Sequence, residues 1–312
     1  MNQDMISKIY HKLVSYWSLI FRKLSNGRHI TNGEYWTYHN VTIHRSFASC
    51  EESLDFLRWR NSQYLFYNKL MPCNDFDDKI VLDFGCGPGN DLVGFIEYSK
   101  PKKVYAVDIS QTSLVEAKKR LSLHQKSDLI EYMLIEECEA LPIKSEQVDY
   151  IHTSGVLHHV SNIKQILKEF QRVLKREGFV RVMIYNYNSL WVHLYVAYVR
   201  QILKKIDKNR SLAEAFKRST DAKYCPTSRY YTSEDFISLC VESGFKAEYK
   251  GAAISLHEMS LLSKRVKAIS EIKLNKIHRD FLKSLCFDEY GRPIYNGQVA
   301  GIDSVYELRK IN

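Results

Sequence analysis

The 312-residue chain is 45% hydrophobic and 26% charged, a balance that excludes disordered and fibrous classes and fits one elaborated domain with terminal additions. Its formal charge of +9 at pH 7 favours an acidic partner, whether a phosphorylated or carboxylated substrate, an anionic membrane surface or a nucleic acid. Seven cysteines without a Cys-x-x-Cys pair, no apolar run of membrane-spanning length and no cleavage site after an apolar core argue against zinc or disulfide frameworks, spanning and secretion, and predict a cytoplasmic protein.

Residues 6–24, "ISKIYHKLVSYWSLIFRKL", place Ile6, Ile9, Tyr10, Leu13, Trp17, Ile20, Phe21 and Leu24 at helical spacing, with Lys8, Lys12, Arg22 and Lys23 mostly off that stripe. Such a helix docks on the protein's own core or on a second subunit, making a homo-oligomer, or lies peripherally on the inner face of a membrane. Docking is the commoner fate. The remainder up to residue 78, including "EESLDFLRWRNSQYLFYNKL", reads as helical, so residues 1–78 are expected to form a helical cap.

From Lys79 onward the strand-like runs "KIVLDFG", "KVYAVDIS", "IEYMLIE", "VDYIHTSG" and "FVRVMIYN" alternate with amphipathic segments such as "NIKQILKEFQRVLKREG". This βαβα order predicts an α/β fold with a doubly wound, mostly parallel, Rossmann-like sheet, in which Gly178 stops the helix before the last of these runs. Beyond it, "NSLWVHLYVAYVRQILKKI" and "TSEDFISLCVESGF" read as helices, and "KAEYKGAAIS" and "SVYELRKI" as strands flanking a basic, helix-like insert. The expected domain is therefore 79–312, with substrate-side insertions at about 186–232 and 257–300.

The turn "DFGCGPGN" raises the question of its ligand. Its glycines fall at Gly85, Gly87 and Gly89, and Asn90 stands where a dinucleotide fingerprint needs its last glycine. A phosphate-binding Walker loop needs a Gly-Lys-Ser/Thr end, and no lysine lies between Lys79 and Lys100. Asp83 puts a carboxylate beside the turn, which repels a pyrophosphate and favours the ammonium of a methionine moiety. Asp108 ends the next strand, where a carboxylate accepts bonds from both ribose hydroxyls. Together these point to S-adenosylmethionine, against a bland reading in which the glycines only permit a tight turn and Asp83 caps a helix.

The ordered motifs "VLDFGCGPGN", "VYAVDIS", "EALPIKSEQVDYI", "SGVLHHV" and "RVLKREGFV" resemble the class I S-adenosylmethionine-dependent methyltransferases, closest to the branch of ubiquinone/menaquinone-type and sugar O-methyltransferases. The resemblance covers the stretch from about Lys79 to Ile184. It implies that Gly85 and Gly87 lie against the methionine part, that Asp108 binds the ribose, that Ile109 packs on the adenine and that Glu139 and Ala140 sit beside it. It further implies that Ser154 borders the sulfonium and that Arg60 and Tyr64 reach the methionine carboxylate, although amphipathic-helix packing also explains those two. Outside the core, "ESLDFLRWRNSQY", "YNYNSLWVHLYV" and "GRPIYNGQVAGIDSVYELRK" are similar to methyltransferases of bacterial surface-polysaccharide biosynthesis.

Methyl transfer needs an aligned acceptor and often a base. His158 and His159 fall just beyond the fourth strand, at the carboxyl edge where ligands of such sheets bind, and His159 takes the place that is more regularly histidine in the resembling family. A structural bond to a backbone carbonyl is the competing reading for the pair. Tyr185, Tyr187, Trp191, His193 and Tyr195 form either a sugar-stacking wall or the packed face of a lid helix. No oxygen-rich triad remains for magnesium, so no metal is expected; and the basic residues lack an RNA- or DNA-reading module, so no nucleic-acid partner is expected. The reading is a metal-independent O-methyltransferase of a sugar hydroxyl in a surface-glycan precursor. Its alternatives are a methyltransferase of a small aromatic or quinone acceptor and a non-catalytic binding subunit of the same fold.

Overall fold

The computed structural model describes residues 30–39, 45–125 and 127–311; the amphipathic stretch 6–24 lies outside them. The chain opens on α1 (Asn32–Tyr38), closed by a capping box between Thr31 and Glu34, and α2 (Cys50–Ser62), capped by Ser49. The expected continuous helix through residue 70 is broken. Tyr64–Leu65 form a short strand, β1, and Phe66 takes a left-handed conformation at φ 66 before α3 (Tyr67–Leu70). Pairing of β1 with a strand near residue 255 wins over local helix propensity here.

The central unit then follows as β2 (Ile80–Phe84), α4 (Asn90–Tyr98), β3 (Lys103–Asp108), α5 (Gln111–Leu121), β4 (Ile130–Leu134), β5 (Val148–Ser154), α6 (Ile163–Val173) and β6 (Leu174–Tyr185). Ser110 and Asn162 cap α5 and α6 through their side chains. Beyond β6 come the π-helix α7 (Trp191–Leu203), α8 (Leu212–Thr220), α9 (Ser233–Glu242), β7 (Phe245–Ser255), α10 (Leu256–Leu261), α11 (Arg265–Ser270) and α12 (Lys276–Ser284). A small antiparallel sheet of β8 (Cys286–Phe287), β9 (Pro293–Tyr295) and β10 (Gln298–Val299) precedes the last strand, β11 (Asp303–Lys310).

The large sheet runs β1-β7-β11-β6-β5-β2-β3-β4. Strands β2 to β6 pair in parallel, and β11 inserts antiparallel between β6 and β7. Burial on both faces explains why β2 and β3 read as unbroken apolar runs. From β2 the chain winds through β3 to β4 at one edge, then returns to lay β5 on the other side of β2. The order of winding reverses there, and a crevice opens at the carboxyl ends of β2 and β5, the usual place for a ligand in a doubly wound sheet.

Gly178 is not the helix stop that its position suggests. Helix α6 ends at Val173 and the chain enters β6 directly, with a register irregularity between Val148 and Tyr150 of the neighbouring strand. A Cβ at Gly178 would stand 2.9 Å from the Asp149 carbonyl, so glycine serves a close strand approach at a bulge. Among the described residues, no helix is long and apolar enough to cross a membrane.

Candidate active site

At the end of β2, the N–H groups of Gly85 and Cys86 donate to the Val107 carbonyl at 2.8 and 3.1 Å, hanging the turn on β3. Gly85 sits at φ +77, and a Cβ there would come within 2.2 Å of the Val156 side chain, so only glycine lets the turn pack against the segment after β5. Gly87 donates its N–H to Asp108 Oδ2 and Ser110 donates to Asp108 Oδ1, both at 2.8 Å. Asp108 therefore ties the glycine loop to the start of α5. Burial pushes its carboxyl up from the ordinary value, opposed by these backbone bonds.

Around this edge lies a cavity of about 220 Å³, walled by Gly85, Gly87, Asp108, Ile109, Ser154 and Arg60 on the sheet side. Asn32, Trp36 and His39, from α1 and the residue after it, close over the cavity, together with Glu137, Cys138 and His159. Asn32 fastens this lid by donating to Glu137 Oε1 at 2.7 Å and to the His159 carbonyl at 2.9 Å.

A buried charge network stands behind the glycine loop. Arg60 on α2 pairs with Asp91 in the first turn of α4, and its guanidinium lies 4.7 Å from the Tyr67 ring. Helix α2 is held there by Arg120, which donates to the Ser53 hydroxyl and carbonyl, both at 2.8 Å. Burial of Asp91 would raise its carboxyl, yet Arg60, aided by His152, holds it well below the ordinary range. Asp83 has the opposite fate: burial, with Asp91 and Asp108 nearby, pushes its carboxyl well above the ordinary range. Its Oδ2 is buried with no hydrogen-bond partner. His152 Nε2 lies 3.4 Å from Asp91 Oδ2 but outside hydrogen-bonding geometry. The Tyr67 hydroxyl and Ser154 Oγ are 2.8 Å apart, joining this network to the end of β5.

The two neighbouring histidines part company. His159 lines the cavity, with Nδ1 2.8 Å from the Thr227 carbonyl, Nε2 3.4 Å from Asp221 Oδ1, and its ring 4.7 Å from that of Trp36. Asp221 is fully buried and accepts from Tyr185 Oη at 3.0 Å, Thr220 Oγ1 at 2.6 Å and Ser228 Oγ at 2.7 Å. His158 points into the core. Its Nδ1 accepts from the Tyr185 N–H at 3.2 Å, its ring stacks on Tyr185 at 3.6 Å, and burial drives its imidazole well below the ordinary value. It is removed from the candidate bases because it holds β6 to the turn at 157–159 and does not line the cavity. Cys225 Sγ lies 3.9 Å from His159 Nδ1. His159, Asp221 and Cys225 thus cluster, but the nearest approaches of Asp221 and Cys225 are to different ring nitrogens.

Of the other expected positions, Gly85, Gly87, Asp108, Ile109, Ser154 and Arg60 meet at the cavity, and Asp83 lies behind it. Tyr64 does not line it, because it is taken up in β1 opposite Ser255; Tyr67 stands beside Arg60 instead. Glu139 and Ala140 are exposed and outside the wall. Glu139 accepts from the Glu136 N–H at 2.9 Å, closing a turn after β4, so Glu137 and Cys138 face the cavity in their place. Tyr185, Tyr187, Trp191, His193 and Tyr195 are also absent from the wall. They pack among the buried residues around α7 and α8: Trp191 donates to Ser219 Oγ at 2.9 Å, and His193 stacks on Phe281 at 3.9 Å, its imidazole pushed down to about 3 by burial. The lid residues Asn32 and Trp36, and Asp221 behind His159, escaped the sequence reading. Only the end of β4, which exposes the first residues after Ile135, could have selected Glu137 among three nearby glutamates.

Residues 82–182 match the family described as a methyltransferase domain. Over those residues the chain carries a methyltransferase domain, and its mostly parallel sheet with flanking helices is the Rossmann-like fold of class I methyltransferases. It is 33% identical over 107 residues to an uncharacterised methyltransferase of Schizosaccharomyces pombe, covering 32% of this chain and 37% of that one. It is 27% identical over 177 residues to the ubiquinone/menaquinone biosynthesis C-methyltransferase UbiE of Syntrophotalea carbinolica, covering 53% and 68% respectively. The chain spans less than two fifths of the length of the first curated relatives it matches. In the solved complex of the Haloferax volcanii Trm112 methyltransferase activator with a methyltransferase, one chain superposes with a TM-score of 0.51 at 12% identity, covering 86% of this chain and all of its own. Phosphoethanolamine N-methyltransferase 2 of Haemonchus contortus, solved in complex with S-adenosylmethionine, superposes with a TM-score of 0.50 at 17% identity, covering 94% of this chain and 60% of that one. The cavity edge of this chain fits that cofactor: a Cβ on Gly87 would meet nothing within 4 Å, leaving bare backbone at the wall, beside Asp108 at the end of β3.

Proposed function

We propose that this chain methylates an oxygen of a small acceptor without a metal ion, and that His159 takes the acceptor's proton. The observation carrying this reading is the setting of His159 on the cavity wall. A carbonyl oxygen only accepts, so the bond to Thr227 keeps the hydrogen of a neutral ring on Nδ1 and leaves the lone pair on Nε2. A proton taken at Nε2 produces an imidazolium facing the buried Asp221 carboxylate at 3.4 Å, an attractive pair. Asp221 is a positioning residue, itself steadied by three hydroxyls.

When bound, S-adenosylmethionine supplies an electrophilic methyl group on a sulfonium. Asp108 would accept from its ribose hydroxyls, Ile109, Glu137 and Cys138 would border its adenine, and Gly85, Gly87, Ser154 and Arg60 would hold its methionine end. The lid residues Trp36 and Asn32 exclude water from the acceptor side.

We carry a sugar hydroxyl of a surface-glycan precursor as the acceptor, supported by the resemblance of the segments flanking the stretch from Lys79 to Ile184. An aromatic or quinone acceptor is the second reading, favoured by the name of the Syntrophotalea relative and by Trp36 on the wall. Labelled cofactor offered with nucleotide-sugar, glycan and quinone fractions tests both. Label in the first two supports the sugar reading, and label in the quinone fraction moves the assignment to the second. No transfer into any fraction, with the cofactor bound by calorimetry, would favour a non-catalytic binding subunit.

A further inference from the structure

Far along the chain from the cavity, the end of α7 and the segment before α12 enclose an open groove of about 640 Å³. Its walls carry Lys205, Lys208, Arg210 and Lys273 against a single carboxylate, Glu271. Lys205, Lys208 and Lys273 form no ion pair among the described residues. Arg210 shares one acid, Asp207, with Arg200 and Arg218, so the arginines leave the region positive as well.

Interleaved with these cations are aliphatic side chains turned to water. Leu203, on the groove wall, is 52% exposed; Ile206, next to Lys205, is 55% exposed; and Ile272, between Glu271 and Lys273, is 82% exposed. Single exposed aliphatics are ordinary, but Leu203 on the groove wall, with Ile206 and Ile272 exposed and each next in sequence to a groove-wall lysine, gives the mixed cationic and apolar make-up of an interfacial surface. We propose that this face docks the protein on an anionic lipid bilayer, the lysines meeting headgroup phosphates and the aliphatics entering the headgroup–acyl boundary.

Charge complementarity selects that occupant. A nucleic acid or a soluble phosphate would engage the lysines and leave the isoleucines in water. The chain's own residues 6–24 carry Lys8, Lys12, Arg22 and Lys23, and this like charge disfavours them as a cover for the groove. The proposal does not depend on the acceptor chemistry proposed above.

Flotation of the full chain with phosphatidylcholine vesicles, with and without phosphatidylglycerol, tests it. The protein should float only with the anionic vesicles, and added salt should weaken the binding. The triple variant Lys205→Glu/Lys208→Glu/Lys273→Glu should bind them more than tenfold more weakly. The variant Ile206→Ser/Ile272→Ser should bind more weakly while keeping the salt dependence. All five substituted side chains are exposed, and a melting curve confirms that each variant is folded. The proposal is overturned if the parent ignores anionic vesicles, floats equally with neutral ones, or is matched by the triple variant. The last result, with binding lost on deletion of residues 1–24, would assign membrane contact to the N-terminus.

Discussion

The two sides of the cavity are built by different means. The sheet side is made of backbone: the glycine turn hung on the Val107 carbonyl, the loop amide on Asp108, and the small residues after β5. Apart from Arg60 of α2, it comes from the ends of three adjacent strands, β5, β2 and β3, and the turns that follow them. The lid side is made of side chains gathered from distant segments, with Asn32 bonded to Glu137 and His159 set between Asp221 and Thr227. A surface of backbone amides and glycines suits a ligand common to many proteins, whereas a surface of distant side chains is free to vary with the acceptor. The two sides should therefore fail separately when mutated.

The largest separation is expected from the lid side. With the proton acceptor removed, His159→Ala should lower turnover by about 10²–10⁴-fold while leaving S-adenosylmethionine affinity nearly unchanged. Single-turnover rates beside calorimetric titration measure both quantities. A fall in cofactor affinity as large as the fall in rate would show that the two sides act as one. On the sheet side, Asp108→Ala should weaken S-adenosylmethionine and S-adenosylhomocysteine alike by more than tenfold, since a lost charge-assisted contact costs about 1.5–3 kcal/mol. This substitution also frees the Gly87 and Ser110 amides, so Asp108→Asn, which keeps an acceptor, should retain part of the affinity. If both variants bind as the parent does, Asp108 serves only the loop.

The same division explains what could be read from the sequence. Asp83, the glycines, Asp108 and the alternation of strands and helices are local patterns, and one stretch of chain carries both the element and its ligand-facing turn. The placing of Trp36 over His159, and of Asp221 behind it, depends on tertiary packing across 123 and 62 positions of sequence, for which no periodicity exists. Tyr64 and the aromatic run from Tyr185 to Tyr195 misled for the opposite reason. Their composition suits a binding wall, but burial in sheet pairing and around α7 uses it up. Glu137 stands on the cavity wall and Glu139 off it, a choice that a run of similar acids leaves open until the end of β4 is known.

The smallest expected effect concerns a region away from both sides of the cavity, α10, which packs on β7 and α7. Glu258 closes the capping box of α10 with Ser255, fully buried, and burial pushes its carboxyl up to about 7. The unfolded chain releases that proton near the ordinary carboxylate value, whereas the folded protein keeps it up to about 7. Across the interval between, the folded state holds the extra proton, so this group's contribution to stability is full at the acid end and is lost as pH rises. Glu258→Gln removes the titration while keeping an oxygen for the Ser255 N–H and hydroxyl, which the glutamate accepts at 2.9 Å each. Whatever fixed offset the amide introduces, the melting temperature of the variant relative to the parent should climb by a few degrees from pH 5 to pH 8, corresponding to at most about 3 kcal/mol. Cofactor affinity should stay as in the parent, because Glu258 touches neither wall of the cavity. A difference in melting temperature that stays constant with pH would remove Glu258 as the titrating group, and a change in cofactor affinity would join the two sides that the structure keeps apart.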